Sequence, residues 1–474
     1  MKTETELRSE GHSGMSTEEK KLAFESIPKL IVSYAVPGII SMVVMSIYNI
    51  VDQIFIGNGV GYLGNGATNV VYPIFVASMA LSVLFAQGGA AYFSLRLGEK
   101  NYEKARRCVG TATSMVVLII ALLSVCCAIF LEPIVRLFGC TDEILPYALQ
   151  YGRWIIPGLV PVRVVMVLSS FIRADGSPRV SMVAMLAGAV FNTILDPIFI
   201  FVLHLGVKGA AIATTLSEIL GFCIVLWYIP RFKTIRLQAR DFVPEPVIIR
   251  RVCALGASSF LANAAGLFLM GLMNRSYVKY GALSKYGASI PLTVMGITAK
   301  FSQIVLAFAN GTMSGSQPII GYNFGAGNVH RAKKTYLMAT GLTVCFMLIG
   351  TIVFEAFPDK AIALFGSESD LYNEFAVKCL RIFMLVLVFT GIQASVTNFF
   401  QAIGKPLFST ILSSLRQIVL VLPALLILPR FFGLDGVMWS VPVADTGAFV
   451  ISMTFLLSQW KKLDRYAKKA EPST

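Results

Sequence analysis

From about Lys29 to about Gln459 the chain alternates between apolar runs and short polar stretches, and twelve of the runs are long enough to count. A helix needs roughly 20 apolar residues to cross the hydrocarbon of a bilayer, and only closed hydrogen bonding is tolerated there. Each run therefore predicts a transmembrane helix, and the fold class is an all-α polytopic membrane protein. Residues 1–27 are polar and mixed in charge, with neither an apolar core nor a small-residue cleavage site. They read as a disordered cytoplasmic tail rather than a signal peptide. Residues 461–474 read as a basic cytoplasmic tail.

The polar stretches repeat. GEKNYEKARR from Gly98 returns as GAGNVHRAKK from Gly325, and LFG at 137–139 returns at 364–366. ADGSP at 174–178 returns as AIGKP at 402–406, and GVKGAAIA from Gly206 returns as GLDGVMWS from Gly433. Four matches in one order, displaced by 227 or 228, imply two six-helix lobes, 28–230 and 247–460, joined by a basic linker at 231–246. An even number of spans per lobe gives both lobes one orientation, related by a pseudo-twofold axis along the membrane normal. Two such lobes can rock about a central cleft, which favours an alternating-access carrier.

Composition agrees: 56% of the 474 residues are hydrophobic, 14% are charged, and the mean hydropathy is +0.72. A soluble domain would carry roughly 25% charged residues. The net charge of +14 would suggest nucleic acid in a soluble protein, but these basic residues sit in short loops. Alternate loops and the last tail hold 22 Lys and Arg, the intervening loops 7, so both termini are expected on the cytoplasmic side of the membrane. The loop with Arg275, Lys279 and Lys285 is the exception. Eight cysteines without a CxxC support neither a disulfide framework nor a zinc site. The three histidines fall in a tail and two loops, and a membrane-embedded enzyme would need a cluster of catalytic side chains.

Polar groups inside the spans are costly, and a function is their default reading. VFNTILDPIFIF, residues 190–201, places Asn192 and Asp196 on one helical face, and Pro197 loosens the helix beside the acid. Span ends near Gly57, His204 and Lys208 would put Asp52, Asp196 and Thr214 at depths of roughly 8, 12 and 9 Å. Two carboxylates with an amide and a hydroxyl suit a hard cation such as Na+. They suit proton uptake equally, since two poorly solvated carboxylates resist ionising together. Glu218 and Asp445, separated by 227, occupy equivalent places in the two lobes, and Lys300 and Arg416 could pair with Asp445. These four are either cleft charges or structural pairs. Pro37, 15 residues before Asp52, marks a hinge in the first span.

PGIISMVVMSIYNIVDQIFIG in the first span, the RADGSP loop, GAVFNTILDPIFIF and GVKGAAIATTLSE, set in a two-times-six repeat, resemble the multidrug and toxic compound extrusion (MATE) family, nearest its bacterial MepA- and DinF-like branch. The resemblance covers nearly the whole chain after residue 27. It implies an antiporter, not an enzyme, that expels bulky, often cationic and aromatic compounds in exchange for Na+ or H+, with no other cofactor. It implies ion coupling at Asp52, Asn192, Asp196 and Thr214, with Tyr48 beside them. Coupling through the second lobe is matched less well, because Leu420 and Pro423-Ala424 stand where Asn192 and Asp196 have their equivalents. A monomer in the lipid bilayer, without nucleic acid, is expected. The other carrier reading is a flippase for a lipid-linked precursor, which would be expected to show a strongly basic cavity.

Overall fold

The computed structural model describes residues 15–363 and 369–470. The second LFG repeat at 364–366, the first half of the N-terminal tail and the last four residues lie outside the described residues. Helices long and apolar enough to cross a membrane run Ile27–Val60, Leu63–Gly98, Tyr102–Ile129, Leu145–Ala174, Pro178–Val202 and Gly206–Arg231. They continue as Pro246–Ala282, Ser289–Gly325, Val329–Ala356, Asp370–Ala402 and Pro406–Leu463. The eleventh of these has 58 residues, about 87 Å if straight, far more than one bilayer. It turns back at Gly433, whose φ of 56° is open to glycine. Across that turn the Ser440 hydroxyl donates to the Ala424 carbonyl at 3.3 Å, although 16 residues of straight helix would hold them about 24 Å apart. Two arms therefore pack side by side, and among the described residues the spans number twelve.

The repeat is conformational as well as textual. Gly206, 227 residues before Gly433, has the same φ of 56°. Lys100 and Gly327 are likewise a left-handed pair, with φ of 58° and 79°. Asn101 and Asn328 then cap the next helix in the same way, each side chain accepting from the backbone N–H three residues on. Lysine tolerates in the first lobe what glycine supplies in the second.

The lobes meet along the first and eighth spans and along the second and seventh. Small residues allow the approach: a Cβ on Gly256 would sit 1.9 Å from the Leu84 carbonyl oxygen, and one on Gly38 2.6 Å from that of Gly311. All these contacts lie in the half of the bundle that carries the termini. In the opposite half Gly266, Gly271 and Gly296 of the seventh and eighth spans face open space. The close approaches between the lobes are thus gathered at the terminus-bearing end, and at the other end these glycines meet no neighbour.

Two polar segments are more ordered than the sequence suggests. The expected disordered tail is corrected over its second half, because Thr17–Phe24 is a helix held by a capping box between Ser16 and Glu19. The linker lies against the bundle. Asp175 accepts from the Tyr228 hydroxyl, the Lys233 and Thr234 amides and the Thr234 hydroxyl, while Arg106 pairs with Asp241 at 2.9 Å. Burial pushes the Asp175 carboxyl up to about 6, partly offset by those hydrogen bonds.

Candidate functional site: a polar cluster in the first lobe

Spans one, five and six converge in the first lobe. Pro197 has no N–H to give, and the fifth span widens directly after it into a π turn at Ile198–Val202, where Leu203 N–H reaches the Ile198 carbonyl. The helix is therefore loosened on the C-terminal side of Asp196. Phe201 packs edge-on against Phe55 of the first span, and Gly209 of the sixth lies close to the Phe199 carbonyl, which fixes the three span ends together. The spans end at Val60 and Val202 and the sixth begins at Gly206, two or three residues from the expected points. Asp52, Asp196 and Thr214 then lie roughly 9 to 12 Å inside, so the shared depth holds.

Asn192 is the hub. Its amide donates to Asp196 Oδ1 at 3.3 Å and to Thr214 Oγ1 at 3.2 Å. Asn192, Asp196 and Thr214 are 1%, 0% and 9% exposed. The Asp52 carboxyl lies close to that of Asp196, and Tyr48 lies one turn before Asp52 on the same helix. Three buried oxygens in this cluster, Asp52 Oδ1, Asn192 Oδ1 and Asp196 Oδ2, have no hydrogen-bond partner. Leaving a buried polar atom unpaired costs about 1–3 kcal/mol, more for a charged one. Three acceptors from two carboxylates and an amide make a place that a hard cation or a proton would relieve. The donor set fits Na+ as well as H+.

Tyr151 of the fourth span lies within electrostatic range of the two acids, and no sequence signal marks it: a tyrosine among apolar residues reads as packing. Arg163 was likewise missed, although a lone arginine in the run LVPVRVVMVL was a visible clue. It lies near Glu218, and its guanidinium donates to Ser78 Oγ and the Phe75 carbonyl, both at 2.9 Å, above the Phe75 ring.

The second lobe answers with a different arrangement. Arg416 Nε and Nη2 donate to Asp445 at 2.7 and 3.0 Å, and Thr390 adds a third bond. Thr390 stands where the first lobe has Arg163, so the arginine near the equivalent acid sits on the fourth span in one lobe and on the eleventh in the other. Asp445 has its oxygens satisfied, whereas the first-lobe pair does not. Lys300 is exposed, on the half of the eighth span that also carries Gly296. Pro37 lies within the continuous first span, in the terminus-bearing half, where Ser41 Oγ donates to its carbonyl at 2.8 Å.

Comparison with known proteins agrees with this architecture. The chain is 29% identical over 460 residues to "Multidrug export protein MepA" of Staphylococcus haemolyticus (strain JCSC1435), covering 94% of this chain and 97% of that one. A solved structure described as "Outward-facing conformation of a multidrug resistance MATE family transporter of the MOP superfamily" superposes with a TM-score of 0.87 at 23% identity, over 96% of this chain and all of that one. A Pyrococcus furiosus structure described as "Reverse polarity of binding pocket suggests different function of a MOP superfamily transporter" superposes with a TM-score of 0.85 at 23% identity, over 95% of this chain and all of that one. The MatE family itself matches residues 37–198 and 280–426, one block in each lobe, and the chain belongs to this family of multidrug efflux transporters.

Proposed function

We propose that the protein is an antiporter that exports amphipathic, often cationic and aromatic drugs in exchange for Na+ or H+, by alternating access of its two lobes. The observation that carries this reading is the set of three unpartnered oxygens on Asp52, Asn192 and Asp196, buried together in one lobe. Two adjacent carboxylates in an apolar lobe are stable only with a counter-charge. A cation entering from outside or a cationic drug near the site can supply it, and competition for that charge couples their movements. Aromatic faces and thioethers in an apolar interior hold delocalised cations without a fixed hydrogen-bond pattern.

Purified protein in liposomes loaded with a quaternary ammonium dye tests this. Export is expected to accelerate under an imposed Na+ or pH gradient, at least one of the two. Dye flux indifferent to both gradients would count against coupling, and movement of a lipid-linked precursor alone would favour a flippase.

The protein works in this reading as a monomer in a bacterial plasma membrane, with both termini cytoplasmic and the opposite half facing outward. Cys140, although in an outer loop, is buried and makes a poor reporter of sidedness. Asp142 is 89% exposed in the same loop, and Lys104 is exposed on the opposite side. In a cysteine-free background, Asp142→Cys is expected to react with an impermeant thiol reagent added to intact cells and Lys104→Cys to be spared. The reverse pattern would invert the orientation.

Pro37 lets the first span bend as the acids change state. Pro37→Ala restores a backbone donor and stiffens the helix, so turnover is expected to fall several-fold while the protein still folds. Turnover at the level of the parent protein would exclude a moving hinge.

A further inference from the structure

The helix Thr17–Phe24 is a crossbar between the lobes. Its N-terminal end is fixed to the first lobe and the linker: the Tyr102 hydroxyl donates to Glu19 Oε1 at 2.9 Å, and Lys233 Nζ pairs with Glu18 Oε1 at 3.0 Å. Glu18 also packs against Gly176 of the 173–179 loop. Its C-terminal end is fixed to the second lobe. Asn323, closing the eighth span, donates to the Leu22 carbonyl at 3.1 Å; Arg331, opening the ninth, donates to the same carbonyl at 3.2 Å and reaches that of Glu25. The last carbonyls of a helix have no partner within it, and here the opposite lobe supplies one. Leu22 is 1% exposed, in a cluster that includes Tyr34 of the first span and Ile319 and Tyr322 of the eighth.

This arrangement breaks the symmetry of the repeat. Arg331 is the counterpart of Lys104, yet only the second-lobe residue grips the helix. The crossbar spans the end at which the lobes approach closely, and parting them there would strip the Leu22 carbonyl of both donors and expose its side chain. We infer that Thr17–Phe24 is a clasp that holds the terminus-bearing side shut and is released each time that side opens. The clasp rests on the alternating-access reading. It also explains why a short polar helix is capped, buried and bonded at both ends when a plain tail would suffice to begin the first span.

Spin labels at Lys104→Cys and Lys334→Cys, both exposed and on opposite lobes, report the separation of that side in a background with the eight native cysteines replaced. Asn323→Ala with Arg331→Ala removes the second-lobe donors. Glu19→Ala, which leaves the second lobe untouched, removes the capping box and the Tyr102 bond. Each is expected to raise the long-distance population about tenfold. Glu19→Gln keeps one oxygen to accept from the Ser16 amide and offers its NH2 to the Tyr102 hydroxyl oxygen, so both contacts persist and the variant is expected to stay closed. A distance distribution unchanged in both disrupting variants would overturn the clasp. Gradient-driven dye export measured in the same preparations separates this from failure of alternating access, because export would persist in the first case and be absent, even in the parent protein, in the second.

Discussion

Asp196→Asn is expected to abolish gradient-driven export, down to the rate of protein-free liposomes, while the protein still inserts and folds. The change keeps the shape of the side chain and removes its charge. Insertion is not penalised, since an aspartate near the centre of a span costs about 2.5–3.5 kcal/mol that asparagine largely avoids. What is lost is the second carboxylate beside Asp52, and with it the negative charge for which cation and drug are proposed to compete. Asp52→Asn is expected to do the same. Asp445→Asn is expected to keep substantial export, because the second-lobe acid already has Arg416 and Thr390 on its oxygens. Full export by Asp196→Asn under the same gradient would dismiss the first-lobe site, and a dead Asp445→Asn beside a live Asp52→Asn would transfer coupling to the second lobe.

Arg416→Leu is expected to cost stability rather than coupling. Asp445 is 3% exposed and Arg416 22%, so removing the arginine strands a buried carboxylate, whereas removing the acid leaves a guanidinium that is partly exposed. Breaking a buried pair from one side costs about 3–5 kcal/mol, and the partial exposure of Arg416 places this one near the lower end. The thermal midpoint of the purified protein should fall sharply in Arg416→Leu, and Asp445→Asn added to the same chain should recover most of the loss. A double variant as unstable as the single one would show that Arg416 acts through packing instead of charge.

Much of this architecture was legible because the chain states it twice. The displacement of 227 in the loops carries over to backbone angles at Gly206 and Gly433, and an even repeat of apolar runs leaves few other ways to cross a bilayer. Asn192 and Asp196 stood out because polar residues one turn apart are conspicuous in an apolar span, and Asp52 and Thr214 followed from depth. Tyr151 and Arg163 escaped for the opposite reason: their roles depend on which face of the fourth span meets its neighbours, and spacing within one helix cannot specify that. Arg416 was one of two candidate partners for Asp445 in the sequence, beside Lys300, and choosing between them needed the three-dimensional placement of the spans. The helix Thr17–Phe24 was missed despite a readable Ser16 to Glu19 capping box, because its stability comes from partners some 80 to 310 residues away.

The central claim is that cation and drug compete for one charged site in the first lobe, and equilibrium binding of a cationic dye to the purified protein tests it most directly. Linkage requires each ligand to weaken the other by the same factor. The expected result is that dye affinity falls as Na+ is raised or as pH is lowered, and that Asp196→Asn flattens this dependence. Dye affinity that is indifferent to both Na+ and pH in the parent protein, or that keeps its full dependence in Asp196→Asn, would contradict it.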